Sequence, residues 1–469
     1  MRKFLKIGGT LLGAALLLAG LAWGGFQAMT LHFNPAPPRA DYPRPRSLLE
    51  AQRQDLDYFA RLQAMDHAYS PTARAQMARE IAAMKAAPVA LAPQMFQVRL
   101  MQISALADNG HTHMRLLGPG RILHVLPVRV TRFAEGFYVM EAKAEGRDLL
   151  GGRLESIDGV PFDTVLAKLR TLRGGTEAFR TENSPLFIVV QDLLYGLGIA
   201  KDPAKSAWTV TLPSGASVTR TLTAYTMPKS DPLPYGFRWT WPEPMKGMGD
   251  GWTAYAPASG HLPESRQDLD RVFENLVIPG SCARYIRMQD ITDVDDQKIA
   301  PALAKFEAEL KASPPCAAIV DLRGNGGGDY TNAWHFSHAL PSLIQPRGRI
   351  FVLTDPDTFS AAITTAAFIK QAGGDRVTIL GEPIGDRLAF YAEGNSGCLP
   401  NSKLCDTYET GKHVYNGPCT DVSECFWLNW FYPVRVKTLE PDEIIPQRFS
   451  DWNAGHDVAF ERAVELARM

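Results

Sequence analysis

This 469-residue chain predicts a layered α/β protein, and three observations point that way. Residues 317–380 alternate strand and helix in a β-α-β-α-β series, which calls for a parallel sheet with crossover helices. Residues 47–110 carry successive helix-start and helix-stop signals. From about residue 121 to 224 the apolar period changes to two, the spacing of half-buried strands.

In order along the chain, Ser47-x-x-Glu50 makes a capping box that opens a first helix. Ser70-Pro71 opens a second, with proline at the first helical position. A third apolar segment runs from about 93 and stops at Asn109-Gly110 as a C-cap. The runs 122–130 and 137–142 flank Ala134-Glu135-Gly136 as a hairpin. Residues 149–172 read as a strand, an Asp158-Gly159 turn and an amphipathic helix. Residues 207–224 read as a hairpin around Pro213-Ser214-Gly215. A third unit starts near 226. Its strand 317–322 lacks alternation, as a strand buried on both faces should. Helix 330–340, strand 350–353, helix 360–372 and strand 377–380 follow.

Hydrophobic residues at 45% and charged residues at 21% exclude a disordered or fibrous chain. The net charge of −1 lacks the basic excess that nucleic-acid binding through phosphates requires. The length suits two to three domains, at about 150 residues each.

The N-terminus carries Arg2, Lys3 and Lys6, then no charge from Ile7 to Leu31. That run is long enough for a bilayer-spanning helix, and Ala22 to Ala28 offers no clean small-x-small cleavage site. Residues 1–31 therefore read as an uncleaved anchor rather than a cleaved signal. Basic residues stay cytoplasmic, which places the body outside; it is secreted if the segment is cut. The three basic residues lie before residue 32 with no acidic ones, so the rest carries −4. Residues 32–46 form a Pro-rich linker.

Six cysteines fit an oxidising compartment. Cys398, Cys405, Cys419 and Cys425 crowd into a Gly/Asn/Pro-rich segment, where disulfides stapling a surface loop outweigh a metal site, since no C-x-x-C pair occurs. Four cysteines allow three connectivities and spacing does not choose. Cys282 and Cys316 either pair or stay free and buried.

Four segments carry possible chemistry. Asp321 to Asp329, DLRGNGGGD, is a Gly-rich loop between a buried strand and a helix, suited to an anion or oxyanion. It fits neither a dinucleotide fingerprint nor a phosphate loop, for Asp329 stands where the glycine belongs and there is no lysine. Ser360 opens a helix, where it is either an N-cap or a nucleophile with the Ala361 N–H facing an oxyanion. It lacks the Gly-x-Ser-x-Gly elbow. Gly381 to Arg387, GEPIGDR, by itself reads as a loop. His111, in ADNGHTH, by itself reads as a surface histidine after a helix end.

Taken together and in this order, the segments resemble the C-terminal-processing (tail-specific) serine peptidases, a family that includes the core of tricorn protease. The matching pieces are Asn109-Gly110-His111-Thr112, LLGGRLESIDGVPF from Leu149, Asp321 to Gly328, Thr358 to Ala362 and Gly381-Glu382-Pro383. The likeness spans roughly residues 47–469. It implies a helical unit over 47–118, a PDZ-like β-rich domain over 119–225 and a ClpP/crotonase-like catalytic domain over 226–469 with a Cys-rich insertion at 395–426. The implied activity is hydrolysis of a polypeptide substrate with no cofactor or metal.

One position departs from the Ser/Lys branch of that family: Arg387 stands where its lysine base belongs. Arginine stays protonated and cannot act as a base. Lys370, ten places after Ser360, lies too far round its helix. The tricorn-like branch implies instead a Ser360 nucleophile, a His111 base and a carboxylate. Glu393 is the first choice for that carboxylate and Asp108 the second. His113, His335 and His338 are rival bases. The oxyanion donors are the N–H groups of Gly327 and Ala361. Two readings compete with a peptidase. One is a non-catalytic peptide- or lipid-binding protein on the same fold, motivated by Arg387. The other is a hydratase-like enzyme, for which no coenzyme A contacts are recognisable.

Overall fold

A computed structural model describes residues 2–119, 122–227, 240–243, 251–269 and 271–468, and for residues 2–15 the backbone only. The molecule is mixed α/β. Its central sheet has six strands in chain order: Phe273–Val277, Ala283–Met288, Ala317–Asp321, Arg349–Thr354, Val377–Gly381 and Glu443–Ile444. The first pair is antiparallel and the others are parallel. Every residue of Ala317–Asp321 and of Val377–Gly381 is buried, which is why neither strand alternates in sequence. Helices Ile299–Ala312, Thr331–Leu343 and Ala361–Gly373 supply the crossovers. The expected β-α-β-α-β series is present, preceded by two strands at 273–288 that were not anticipated.

The N-terminal half follows the expected order with shifted details. Helix Leu48–Gln63 is capped by Ser47, whose side chain accepts the Glu50 N–H. The Glu50 carboxylate accepts the N–H of Arg46 rather than that of Ser47. Helix Pro71–Ala86 starts on the proline. Helix Pro93–Ser104 ends in a 3-10 turn, Ala105–Ala107. The left-handed cap is Asp108, with φ 49°, not Gly110. Gly110 is required for another reason: a Cβ there would lie 2.7 Å from the Phe359 ring.

A seven-stranded sheet holds the two expected hairpins, Val128–Phe133 with Gly136–Ala142 and Lys205–Thr211 with Ser217–Thr223. Arg153–Ile157 turns through Asp158-Gly159 into Val160–Pro161 and helix Phe162–Leu169. Residues 124–125 leave the first hairpin and pair with Tyr225–Thr226. Short helices Glu177–Glu182, Ser184–Ile188 and Gln191–Gly196 were missed, being too brief to show a period. Arg132, on the strand Val128–Phe133, ion-pairs both Glu182 and Glu382, joining this sheet to the loop after Val377–Gly381.

The segment 395–426 is not mainly a surface loop. Ala389–Cys398 and Cys405–Val414 form a long hairpin, closed at its tip by Cys398–Cys405. Cys419–Cys425 staples the following turn, and Cys282–Cys316 joins the central sheet to the start of its buried strand. The hairpin also pairs with Met114–Arg115, three residues past His111.

Helix Arg2–Phe33 precedes the body. Its stretch Leu16–Phe33 is long and apolar enough, by length and composition, to cross a bilayer. It ends at Phe33, which is buried in the same core as Phe359, Phe390 and Phe426. The linker then lies along the hairpin, with the Pro35 carbonyl accepting from the Tyr408 hydroxyl.

Candidate active site

Three loops leave the carboxyl ends of adjacent parallel strands, where open α/β sheets place their sites. They are bound to one another by main-chain hydrogen bonds. The Phe359 N–H donates to Asn325 O at 3.0 Å, and the Gly385 N–H donates to Thr358 O at 2.9 Å. The Gly324 N–H donates to the Asp355 carboxylate at 2.9–3.0 Å. Beneath them a buried ionic network fixes the strand end: Arg323 bonds both Asp321 and Asp457, and the Tyr285 hydroxyl donates to Asp321. The arginines beside it hold the Asp457 carboxyl far below the usual range, against the opposing effect of burial.

Ser360 sits at the junction of loop and helix Ala361–Gly373 with φ 53° and ψ −122°. A non-glycine residue held there stores about 1–3 kcal/mol of strain, and such strain clusters at functional sites. Its side chain makes no capping bond to the helix, which removes the bland N-cap reading. The local spelling lacks elbow glycines, yet the backbone makes a strained turn into the helix all the same. The space comes from Gly327, at φ 117°, on the facing loop. A Cβ at that position would stand 2.6 Å from Ser360 Cβ and 3.0 Å from the Ala361 nitrogen.

Of the two expected oxyanion donors, Ala361 is the first helical residue, so its N–H is one of the helix's four without an intrahelical acceptor. The Gly327 N–H is engaged within its own loop, donating to Asn325 Oδ1 at 2.9 Å. That corrects the expectation of two free donors.

His111 lies against this loop. Its ring stacks on Phe359 at 4.3 Å and on Phe390 at 5.4 Å. Phe179 extends the stack beyond Phe359, at 4.4 Å, and His413 extends it beyond Phe390, at 5.1 Å. Burial, reinforced by the neighbouring His413, His113 and Arg173, drives the His111 pKa well below 6.5. The ring is therefore neutral at physiological pH. Neither ring nitrogen has a hydrogen-bond partner among the described residues. No hydrogen bond joins it to Ser360 among the described residues, so contact runs through Phe359, the residue before the serine.

The segment carrying His111 is tied at several points. The Thr407 hydroxyl donates to His111 O at 2.8 Å. Asn109 bonds Tyr391 through both of its side-chain ends. The Thr112 hydroxyl donates to the buried Asp66 at 2.7 Å. The GEPIGDR loop holds it from the other side, with Arg387 bonded to Asp108.

Neither expected carboxylate meets His111. Glu393 lies within the hairpin with φ 61°, and its Oε1 lies 3.4 Å from Nε2 of His413. Asp108 is committed to Arg387. The rival histidines are also placed. His113 Nδ1 bonds His111 O, and burial drops its pKa to about 3. His335 is exposed and pairs with Glu307, while His338 bonds Trp334 O. Lys370 donates to Val377 O. His413 and Arg173 were missed. They reach the site from distant strands and loops, and no local spacing marks them. Among the described residues, no group of three or more His, Cys, Asp or Glu could hold a metal ion.

No family model and no curated protein sequence matches the chain. Solved structures do. Mature CPAF complexed with lactacystin is 14% identical with a TM-score of 0.60, over 90% of this chain and 98% of that one. A second structure of mature CPAF is 15% identical, with a TM-score of 0.56 over 89% and 96%. A photosystem II D1 C-terminal processing protease is 12% identical over 87% and 98%, at a TM-score of 0.37 that adds nothing to the fold assignment. The chain thus has the fold of CPAF.

Proposed function

We propose that the chain is a serine peptidase that hydrolyses peptide bonds of extracytoplasmic polypeptides. The observation that carries the reading is Ser360, a strained, uncapped serine at a helix start, packed against Gly327 and one residue from the ring that stacks on a neutral His111. Ser360 Oγ attacks the substrate carbonyl. His111 takes its proton, returns it to the leaving amine, and then activates water to release the acyl chain. The Ala361 N–H holds the oxyanion. The Gly327 N–H joins it by releasing Asn325 Oδ1. Losing one such donor costs a factor on the order of 100 to 1,000 in rate. Glu393 acts on the base through the hairpin and His413 rather than by direct contact.

In the same reading, residues 47–118 are the helical unit, 119–225 a PDZ-like domain that presents a substrate strand, and 226–469 a ClpP/crotonase-like catalytic domain. Residues 1–31 anchor the chain with its body outside the cytoplasm. The disulfides and the apolar N-terminal helix support that placement.

One observation favours a second reading, capture of a peptide or lipid-like ligand without hydrolysis: among the described residues, both nitrogens of His111 are unpartnered and no carboxylate orients them. Labelling with a fluorophosphonate probe separates the two. Covalent capture at Ser360 that disappears in His111→Ala supports the peptidase. A folded protein that stays unlabelled while binding peptide sinks it.

A further inference from the structure

An aromatic face lies apart from the residues assigned above. Trp23 and Phe26, on the N-terminal helix, have rings 5.9 Å apart, and Phe26 meets Trp427 of the body at 5.6 Å. Trp427 meets Phe431 at 6.0 Å. The rim of this face is open to solvent: Trp23, Phe431 and Val422 are each 65% exposed, and Trp430 is 51% exposed. Soluble proteins seldom leave large apolar rings contiguous and exposed. The body's share of the face is held in place. Cys419–Cys425 staples the turn that carries Val422, and His32 bonds the carbonyl of Ser423 at 2.7 Å. Phe33 then packs on Phe426 at 5.5 Å inside the core.

The distance along the helix identifies the occupant. From Lys6 to Phe26 is twenty residues, about 30 Å at 1.5 Å per residue, which is the thickness of a bilayer's hydrocarbon core. Basic residues stand at one end of that span and aromatic rings at the other. This is how membrane helices mark their two interfaces. We infer that Trp427, Trp430, Phe431 and Val422 rest in the outer headgroup region beside Trp23 and Phe26, so that the catalytic body lies against the membrane instead of swinging on a tether. The inference rests on the anchor reading above. Asp421, exposed next to Val422, makes a zwitterionic surface the better fit than an anionic one. Phe426 of the same segment is 5.3 Å from His413, so the docked face adjoins the site. Substrates would then be polypeptide segments presented at the membrane surface.

The test uses the full chain in phosphatidylcholine vesicles whose lipids are brominated just below the headgroup. Tryptophan quenching is compared among wild type, Trp23→Phe and Trp430→Phe. Flotation with the vesicles, and an intact N-terminus by mass, establish anchoring first. The expected result is that Trp23→Phe and Trp430→Phe each remove about a third of the quenched emission, since three tryptophans share the interface. Quenching lost in Trp23→Phe but unchanged in Trp430→Phe overturns the docked body and leaves the anchor standing. A chain that neither floats nor is quenched overturns both.

Discussion

The Arg387 guanidinium donates to Asp108 twice, at 2.9 Å to the main-chain oxygen and 2.7 Å to the carboxylate. Arg387 thus fastens the segment bearing His111. Both partners are about half exposed, so the pair adds little stability, about 0–1 kcal/mol. Arg387→Ala is therefore expected to lower kcat several-fold through a misplaced His111 while moving Tm by no more than a degree or two. Arg387→Lys should not create a Lys-dependent enzyme, and retained dependence on His111 in that variant checks it.

Strain at Ser360 predicts a trade of stability against activity. Glycine adopts φ 53° without penalty, so Ser360→Gly should lose all fluorophosphonate labelling and gain about 1 kcal/mol in denaturant unfolding. Ser360→Ala keeps the strained backbone and should lose labelling with no such gain. Equal stabilities of the two variants would contradict this account of the turn.

Gly327→Ala tests the opposite wall. The added methyl meets Ser360 Cβ at 2.6 Å, on a backbone that L residues avoid. Activity should fall by a factor on the order of 100 or more, the scale of one lost oxyanion donor. Global stability should drop by about 1–3 kcal/mol, the range for overpacking. Asn325→Ala frees the Gly327 N–H and removes a side-chain bond to Met288 O, so loss of labelling there would be read against its own melting curve.

The histidines set a pH dependence. Burial depresses His111 below 6.5, so the base stays neutral and the labelling rate should hold steady as pH falls through 6.5, declining only at lower pH. His113 is depressed to about 3, so the stability it contributes is present above pH 6.5 and lost as pH falls from there toward 3. His113→Gln should flatten that loss. Urea midpoints of both proteins at pH 7.5 and 5 measure it, and the difference between them isolates His113 from Asp66, which burial raises to about 6.

Much of the scaffold was legible because its causes are local. The Asp158-Gly159 turn and the Ser47 and Ser70 caps act within a few residues. The unbroken apolar run at 317–321 reports a strand covered on both faces. Ser360, the glycine loop and His111 could be singled out because their motifs stand in a recognisable order. The relations among them could not. Whether Gly327 faces Ser360, whether its N–H is spent on Asn325, and whether Glu393 meets His413 instead of His111 depend on loops brought together from strands far apart in sequence. The same holds for the cysteine segment, whose composition reads as loop but which pairs as a hairpin behind His111. Local hydrogen bonding and apolar periodicity determined the elements and the chemistry available. Packing between distant segments, where burial and loop closure act, decided which of those side chains meet.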